Sequence, residues 1–358
     1  MRGPKPFGKG MMPIDICVIG FGNIGREFVR QILNYSEFLR KKHGLNLKIV
    51  GLADSSGTIV RKNGFSKNEL LKLLTVPRGS LAKISVSGVK KFVKAVEAFD
   101  SLEPEETIVI EVTPSNYVDG EPAKTHLLEA FKRGLHVVTA NKGPLALYFN
   151  EIVEESRRNN VEFRFKATVM AGTPLIDYLR YGYFGRKVEK VYGIINATTN
   201  YILNKMYEEE IGFEEALRKA QVEGYAEPDP SLDVDGWDPA AKISIISGVL
   251  GNHIPIHNVV KVSLRETTLD EVLKAKREGY MIKYIASYDR LTGEARVEPK
   301  RVKADSYMAK VSGSRNLVVV ESDGGLKTVI EGPGGGPKPT ALIILSDVAL
   351  IAAKVVNK

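Results

Sequence analysis

The stretch IDICVIGFGNIGREFVRQIL, residues 14–33, decides the fold of the first half of the chain. It opens with a short apolar run over 14–19, which is typical of a buried strand. The motif GFGNIG follows at 20–25, and a helical pattern then extends from 26 to about 39. A strand, the pattern G-x-G-x-x-G and a helix, in that order, predict a dinucleotide-binding fold. A tight packing turn that binds no ligand is the alternative interpretation.

Each glycine of the motif has a separate physical role in such a fold. Gly20 permits the tight turn, Gly22 lets the backbone approach a pyrophosphate, and Gly25 lets the helix pack closely on the strand. The free N–H groups at the start of the helix then stabilise the phosphate charge. We predict that Asn23 and Ile24, which lie within the motif, bind the cofactor together with these glycines.

The end of the next apolar run bears on the choice of cofactor. Residues 47–53 read as a strand that ends in Asp54. An acid at this place favours the free ribose hydroxyls of NAD. However, Arg61, Lys62 and Lys67 follow closely and could bind the 2′-phosphate of NADP. We therefore predict NAD or NADP, with a slight preference for NAD.

Strands and helices continue to alternate along the first half. A strand over 107–112 enters the turn TPSN, which begins at Thr113. A later strand over 135–139 enters ANKGPL, which contains Lys142. Ligands bind at the carboxyl ends of the strands in open parallel sheets, so we predict that both residues face the cofactor. The alternation predicts an α/β fold with a doubly wound sheet over roughly 13–150.

The second half has no such regular alternation. We predict strands over 161–168, 188–196, 280–288, 295–299 and 317–322. We predict helices near 173–181, 200–209, 213–223 and 239–250. The segment GPGGGPKP at 332–339 is predicted to be a flexible loop, and it leads into an apolar helix over about 340–356 that packs on the first domain. Residues 1–12 are basic and rich in glycine and proline, and we expect them to lack order.

The most acidic segment of the chain is GYAEPDPSLDVDGWDPAAK, residues 224–242. Its carboxylates precede a single lysine, Lys242, and its prolines stiffen the loop. Asp238 followed by Pro239 predicts a helix N-cap, and Asp238 then lies one turn before Lys242 on the same face. A fixed set of anions beside a lysine suits a substrate with an ammonium group and a reacting oxygen. The carboxylates are Glu227, Asp229, Asp233, Asp235 and Asp238.

Two other interpretations compete for this segment: a calcium-binding loop and a solvated acidic loop. A calcium loop would start at Ser231, but its twelfth position, which requires a bidentate Glu, is Lys242. The calcium interpretation therefore fails. A solvated acidic loop whose Asp238 only caps a helix stays open on the residues alone.

Composition and charge limit the possible functions. A chain of 358 residues with 43% hydrophobic residues can fill two domains, and its net charge is +8. Since no run of five basic residues and no aromatic–basic motif occurs, solvated lysine faces explain the charge better than a nucleic-acid partner. No apolar stretch reaches ~18 residues without interruption, so we expect no membrane span. The start lacks a signal-peptide pattern, which predicts a cytoplasmic protein.

The single cysteine narrows the reaction class. Cys17 lies inside the first predicted strand, where it packs as a small apolar residue. Dehydrogenases that form an acyl thioester need an accessible thiol, and this chain has none to offer. Hydride transfer between an alcohol and an aldehyde or ketone is therefore the leading reaction.

Six motifs, in order, give the chain a resemblance to the homoserine dehydrogenase family over about 14–356. They are GFGNIG at 20–25, HVVTANKGPLA at 136–146, TVMAGTP at 168–174, GIINATTNYIL at 193–203, the acidic segment at 224–242 and GPGGG at 332–336. The resemblance implies reversible, NAD(P)-dependent oxidation of L-homoserine to L-aspartate 4-semialdehyde in threonine and methionine biosynthesis. It also implies a Rossmann-type domain over 13–160 and 337–358, and an α+β catalytic and dimerisation domain over 161–336.

Residue roles follow by position from the same resemblance. Lys242 matches the acid/base lysine and Lys142 a second active-site lysine. The residues that match substrate-binding positions are Glu227, Asp238, Asp233, Thr198 and Tyr225, and Gly332 matches the cofactor side. The expected partners are a small-molecule substrate and a second copy of the chain in a homodimer, with no nucleic acid and no membrane. No aspartokinase or regulatory domain is recognisable, so a monofunctional enzyme is expected.

The chain departs from the family pattern at two positions. Where the family commonly has a Glu that helps to bind a monovalent cation, this chain has Lys166. Either the lysine ammonium takes the place of the cation or the site is absent, so we predict no metal site and little dependence on sodium or potassium. Ala197 stands where the family usually has glycine, which leaves fine substrate preference open.

Other function classes are separable in principle. A dehydrogenase of another small hydroxy or amino acid would turn over a different alcohol. A non-catalytic nucleotide sensor would bind nicotinamide cofactor without turnover. A nucleic-acid-binding protein would lose affinity steeply with salt.

Overall fold

The computed structural model describes residues 13–356, so the expectation for residues 1–12 lies outside the described part of the chain. The strands are β1 Ile14–Ile19, β2 Leu47–Asp54, β3 Gly57–Val60, β4 Lys90–Phe92, β5 Thr107–Glu111, β6 His136–Thr139, β7 Phe163–Arg164, β8 Val188–Ile194, β9 Val260–Lys261, β10 Tyr280–Asp289, β11 Glu294–Lys303, β12 Arg315–Ser322 and β13 Leu326–Pro333. The helices are α1 Asn23–His43, α2 Lys67–Leu73, α3 Ala95–Ala98, α4 Ala123–Lys132, α5 Gly143–Arg158, α6 Leu175–Asp177, α7 Ala197–Glu209, α8 Phe213–Val222, α9 Ser231–Val234, α10 Trp237–Val249, α11 Leu269–Arg277 and α12 Pro337–Val356.

The chain divides into two compact units. The first comprises the residues up to 144, residues 150–167 and the residues from 337 onward. The second comprises residues 145–149 and 168–336.

A seven-stranded sheet forms the centre of the first unit. Its order is β4-β3-β2-β1-β5-β6-β7, in which β1, β2, β5, β6 and β7 run parallel and β3 and β4 are antiparallel at one edge. The chain leaves β1 to one side for β2 and returns on the other side for β5, which is the switch point where such sheets bind ligands. The parallel core was predicted from the apolar runs, whereas the edge strands β3 and β4 were not, because each is only three or four residues long.

The helix α12 completes the core of the first unit. Its Ile344 and Val348 pack in one apolar cluster with Phe28 and Ile32 of α1. The expected return of an apolar helix to the first domain's core is therefore observed. Among residues 13–356, α12 is also the one helix long and apolar enough to cross a membrane by length and composition.

A buried ion pair marks α12 as a core helix. Asp347 lies at its middle with no exposed surface, and Lys166 places its Nζ 3.3 Å from Asp347 Oδ1. The Lys166 ammonium also donates to Ser346 Oγ at 3.0 Å, and its backbone N–H donates to Asp347 Oδ2 at 3.0 Å. A buried charge needs such a partner, because an isolated charge in an apolar interior is strongly unfavourable.

Three predicted elements differ in the structure. The strand predicted over 161–168 is only β7, followed by a 3₁₀ turn at Lys166–Thr168. The helix predicted near 173–181 is the short α6 followed by a π-turn at Tyr178–Gly182. The predicted extent of the flexible loop, 332–339, is wrong at both ends, since β13 reaches Pro333 and α12 already begins at Pro337. Proline is tolerated there because the first helical N–H has no partner within the helix.

The second unit contains a six-stranded sheet in the order β13-β12-β8-β10-β11-β9. All pairs are antiparallel except β11 with β9. Helices α7, α10 and α11 pack against the central strand β10. The strand β13, which was not predicted, lies at one edge of this sheet.

Candidate functional site

The glycine-rich loop of the first unit has the geometry that a pyrophosphate site requires. Gly20 has φ +103°, and a Cβ on it would lie 2.6 Å from the Val112 carbonyl oxygen. A Cβ on Gly25 would lie 2.3 Å from the Gly20 carbonyl oxygen. Nothing lies within 4 Å of a Cβ built on Gly22, so the loop is open on this side. The two outer glycines are therefore needed for packing, and the middle one leaves room for a ligand at the start of α1.

The Asp54 carboxylate is already engaged by its own chain. Oδ1 accepts hydrogen bonds from the backbone N–H and the hydroxyl of Ser56 at 2.8 and 2.6 Å. Oδ2 accepts from the backbone N–H groups of Ser80 and Leu81, both at 3.1 Å. These bonds outweigh partial burial, which acts in the opposite direction, and hold the pKa of Asp54 below its usual value. A carboxylate has about four lone-pair sites, so a ribose hydroxyl would have to displace one of these donors.

Arg78 is a cation beside the glycine-rich loop that the motif itself does not reveal. Arg78 donates to the Asn23 side-chain oxygen at the start of α1. Of the basic residues suggested for a 2′-phosphate, Arg61 pairs with Glu69 at 2.6 Å and Lys62 pairs with Glu103 at 2.7 Å. The sequence could not reveal Arg78, because it lies far along the chain from the loop it contacts.

A second hydrogen-bonded network orders the ends of β5 and β6. Glu111 is fully buried and accepts hydrogen bonds from the Thr113 hydroxyl and from Thr139 Oγ1 at 3.3 Å. Asn141 Nδ2 donates to the Thr113 carbonyl oxygen at 3.0 Å. The backbone N–H of Lys142 donates to Ser115 Oγ at 3.1 Å. Thr113 and Lys142 are thus held on neighbouring strand ends at the edge where parallel sheets bind ligands.

The second unit brings two carboxylates of the acidic segment together beside a lysine. Asn196 Nδ2 donates to Asp233 Oδ1 at 2.6 Å and to Asp238 Oδ2 at 2.9 Å. Lys242 Nζ donates to the same Asp238 oxygen at 2.6 Å and to the Ile195 carbonyl oxygen at 2.7 Å. Lys242 and Asp238 lie one turn apart on α10, as the spacing predicted. The lysine is 8% exposed, so its ammonium lies in a largely dehydrated place.

The Asp233 carboxyl has a raised pKa. Burial, and then repulsion by Asp238, raise the pKa of Asp233, while Asn196, Thr198 and Lys242 act in the opposite direction. The Thr198 hydroxyl lies 2.8 Å from Asp233 Oδ2 and 2.7 Å from the Tyr225 carbonyl oxygen. The predicted residues Asp233, Asp238, Thr198 and Lys242 therefore form one cluster, and the Tyr225 backbone borders it.

The remaining carboxylates of the segment have other surroundings. Glu227 is exposed, and no partner of its side chain is found among residues 13–356. Asp229 accepts from the backbone N–H of Ser231 at 3.1 Å. Asp235 turns away and accepts from Ser263 Oγ at 2.7 Å and Arg265 Nε at 3.2 Å. Asp233 and Asp235 therefore serve different partners, which argues against the calcium loop as well as against a merely solvated loop.

The predicted helix N-cap at Asp238 is wrong. Helix α10 begins at Trp237 after Gly236, which has φ +83°, so Asp238 lies in the first turn. Its carboxylate accepts hydrogen bonds from the Asn196 and Lys242 side chains. The sequence rule located the start of the helix to within two residues but assigned Asp238 the wrong role.

Gly332 belongs to the second unit, in β13. A Cβ on it would lie 2.1 Å from Thr173 Oγ1, so the strand passes very close to that side chain. A Cβ on Gly334 would similarly lie 2.4 Å from the Asn316 side chain. Gly332 and Gly334 are thus required by packing, and a cofactor contact of Gly332 stays a prediction.

Asn196 is another residue of this cluster that the sequence patterns did not single out. Its side-chain oxygen accepts from the Thr199 backbone N–H at 3.0 Å and caps α7, while its Nδ2 bridges the two acids. The signal was present in the sequence as an Asn directly before a helix that follows a strand. The bridge between the two acids could not be predicted from the neighbouring sequence, because both acids lie more than thirty residues away along the chain. Ala197, the other departure noted in the sequence, opens α7.

Comparison with known proteins gives matches along almost the whole chain. The family model described as "Homoserine dehydrogenase, NAD binding domain" matches residues 20–166, and the one described as "Homoserine dehydrogenase" matches residues 174–349. A homoserine dehydrogenase of Methanocaldococcus jannaschii is 38% identical over 93% of this chain and 97% of its own length. An NAD(+)-dependent homoserine dehydrogenase of Pseudomonas canavaninivorans is 33% identical over 97% and 99%. The structure of a hyperthermophilic archaeal homoserine dehydrogenase in complex with NADPH matches with a TM-score of 0.79 at 27% identity, covering 94% of this chain and 97% of that one.

The double role of Asn196 predicts an unusually large cost of removing it. Loss of a helix cap costs about 1 kcal/mol, and loss of hydrogen bonds to charged groups costs about 1.5–3 kcal/mol more. We expect Asn196→Ala to lower the free energy of unfolding of the second unit by about 2–4 kcal/mol. Urea unfolding followed by fluorescence of Trp237, the single tryptophan, measures this because Trp237 lies in that unit.

Thr268→Ala is the matched control for this measurement. Thr268 caps α11 in the same unit, but it bridges no pair of acids. We expect the control to cost about 1 kcal/mol. Equal losses for the two variants would contradict the bridging role of Asn196.

Proposed function

The chain belongs to the homoserine dehydrogenase family and uses NAD or NADP, and from this premise we propose how its own residues carry out the reaction. The reaction is the reversible oxidation of L-homoserine to L-aspartate 4-semialdehyde. The observation that carries the proposal is the cluster of Asp233, Asn196, Asp238 and Lys242, because it joins paired carboxylates to a largely buried ammonium.

The first unit supplies the cofactor-binding residues. The open backbone at Gly22, the free N–H groups at the start of α1 and the ordered turns at Thr113 and Lys142 would hold it. When bound, the nicotinamide accepts the hydride in homoserine oxidation and donates it in the reverse direction. Asn23 and Ile24 would contribute the first N–H groups of α1, with Arg78 beside them.

Lys242 is the proposed acid/base group. An ammonium has three N–H donors, and two of them are used by Asp238 and the Ile195 carbonyl oxygen. The third is then available to the reacting oxygen of the substrate. In aldehyde reduction the Lys242 ammonium donates a proton to that oxygen, and in homoserine oxidation the neutral Lys242 amine accepts the hydroxyl proton.

The carboxylates are proposed to bind the substrate ammonium. Asp238 and Asp233 are fixed by Asn196, whereas Glu227 is exposed and able to move toward a ligand. Thr198 and Tyr225 border the same cluster and would shape the pocket. Lys142 is proposed as the second active-site lysine, on the strand-end turn of the first unit.

Replacing either lysine should affect the chemical step. We expect Lys242→Ala to lower kcat for homoserine oxidation by about 10²–10⁴-fold, because the proton transfer loses its acid/base group. We expect Lys142→Ala to lower activity as well. Steady-state assays with homoserine and NAD or NADP measure both. Lys219→Ala is the matched control, since Lys219 pairs with Glu209 on the surface, and full activity of Lys242→Ala would contradict the assignment.

We propose that no exchangeable monovalent cation is needed at the position of Lys166. The Lys166 ammonium is bound by Ser346 and Asp347, so a permanent internal cation already stands there. This pairing supports the expectation drawn from the sequence.

Activity should therefore change less than about twofold when sodium or potassium replaces choline at constant ionic strength, since surface charge effects are then held equal. Initial rates in the three chloride salts measure this. A steep activation by sodium or potassium would refute the proposal.

We propose that the enzyme is a homodimer paired through the edge of the second unit's sheet. The strand β13 is an edge strand with exposed apolar side chains, and further exposed aromatic rings lie on the segment that bonds to it. Tyr183 of that segment donates to Thr328 Oγ1 of β13 at 2.9 Å. An uncovered apolar edge favours pairing with a second copy. The exposed residues are Leu326, Val329, Tyr181 and Phe184.

Charge at this edge should break the dimer. We expect a mass of twice 39.4 kDa for the wild type and a monomer for Val329→Arg, because the two-fold axis would place like charges close together. Multi-angle light scattering measures the mass. Leu291→Arg is the control, because Leu291 is also an exposed apolar residue but lies outside this edge. A monomeric wild type would contradict the proposal.

Two finer properties stay predictions. The Asp54 carboxylate accepts four hydrogen bonds from its own chain, so it is not free to bind a ribose hydroxyl. Asp54 therefore gives no support to a preference for NAD over NADP. The cytoplasm is the expected compartment, because the family's reaction belongs to amino-acid biosynthesis.

A further inference from the structure

The strand β10 contains a lysine that the reaction does not use. Lys283 has no exposed surface and lies in the middle of the sheet of the second unit. No carboxylate within salt-bridge distance of its ammonium is found among residues 13–356. An apolar residue would be cheaper to bury than a charge with no counter-ion, so sheet stability alone does not account for a lysine here.

The Lys283 ammonium has three well-placed acceptors. Nζ lies 3.0 Å from Asn200 Oδ1, 2.5 Å from Asn204 Oδ1 and 3.1 Å from the Val311 carbonyl oxygen. Both asparagine Nδ2 groups donate to the same Val311 oxygen, at 3.1 and 3.2 Å. Burial lowers the pKa of Lys283 to about 8, so at neutral pH the group is mostly protonated and all three of its donors are matched.

Two of these acceptors belong to the helix that holds the proposed substrate site. Asn196, Asn200 and Asn204 recur every four residues, so they line one face of α7. Asn196 bridges Asp233 and Asp238, and the next two asparagines bind Lys283. Lys283 therefore fixes the same face of the helix that carries the bridge.

The third acceptor belongs to the segment that borders Tyr225. Val311 lies between β11 and β12, two residues before Gly313. A Cβ built on Gly313 would lie 3.8 Å from the Tyr225 hydroxyl. The Tyr225 carbonyl oxygen is in turn within 2.7 Å of Thr198 Oγ1 on α7. One ammonium thus joins two elements that both contact the proposed substrate-binding residue Tyr225.

We propose that Lys283 is a positioning residue for the substrate site, which holds α7 and the segment around Val311 in the register that places Asn196, Thr198 and Tyr225. The assignment rests on the proposed substrate site and deepens it. Lys283 acts through these residues and does not touch the substrate. Its removal should weaken homoserine binding and leave cofactor binding unchanged, because the cofactor-binding residues on β1, β5 and α1 belong to the other unit.

The test separates substrate from cofactor affinity. Lys283→Met keeps a long side chain but removes the donors, and we expect KM for homoserine to rise at least tenfold. The dissociation constant of the reduced cofactor, measured by its fluorescence, should stay within twofold of wild type. A KM for homoserine within twofold of wild type in a folded protein overturns the proposal, and so does an equal loss of cofactor affinity.

Lys276→Met is the matched control. Lys276 also binds α7, at its other end, through the Tyr207 carbonyl oxygen at 2.9 Å and Glu210 at 2.9 Å. It should lower the melting temperature without changing either binding constant. If it raises KM for homoserine as much as Lys283→Met does, general loosening of the helix explains the effect and the positioning role falls.

If Lys283→Met does not fold, a milder variant tests the same proposal. Asn204→Ala removes one acceptor and leaves Asn200 and Val311, so KM for homoserine should rise about threefold at unchanged cofactor affinity. An unchanged KM overturns the proposal. The proposed catalytic role of Lys242 is tested by a different variant, because it is contradicted if Lys242→Ala keeps full kcat. Failure of the proposed function can therefore be distinguished from failure of the positioning role of Lys283.

Discussion

Two carboxylates held by one amide are the constraint on which the proposed catalytic chemistry depends. Asp233 and Asp238 would repel one another in a partly buried place, and the repulsion contributes to the raised pKa of Asp233. The Asn196 amide, the Thr198 hydroxyl and the Lys242 ammonium offset this by donating to the two acids. The two acids are thus held by donors from three other residues, and the proposed binding of the substrate ammonium uses both acids.

The two units divide the work by their architecture. A parallel sheet brings loop residues to its carboxyl edge, and the first unit uses that edge for the glycine-rich loop and the turns ordered by Glu111. An antiparallel sheet with helices on it can instead bury long polar side chains between layers. The second unit uses this property to hold α7 through Asn200, Asn204 and Lys283. Each unit thus orders its functional groups through fully buried polar residues.

Local patterns in the sequence predicted most of the elements. The strand β1 matches its apolar run residue for residue, and Lys242 lies one helical turn after Asp238 because that spacing is a property of any helix. The sequence did not predict the residue roles that depend on partners distant along the chain. The Asp54 carboxylate is engaged by Ser80 and Leu81, and Asn196 serves acids more than thirty residues away. Periodicity reports which face a residue occupies, but it carries no information on what faces it from elsewhere in the chain.

The ion pair between Lys166 and Asp347 has a consequence for biogenesis. The core of the first unit contains α12, so it cannot close until residues 337–356 have left the ribosome. Every strand of the second unit has been synthesised before that helix, since its sheet ends at Pro333. During translation, the strands of the first unit's sheet are made early, but the apolar core that α12 covers stays open until that helix is made. The antiparallel sheet of the second unit can assemble in the meantime. A first unit that still lacks α12 exposes the apolar surface of its core, and such exposed surface favours aggregation during synthesis.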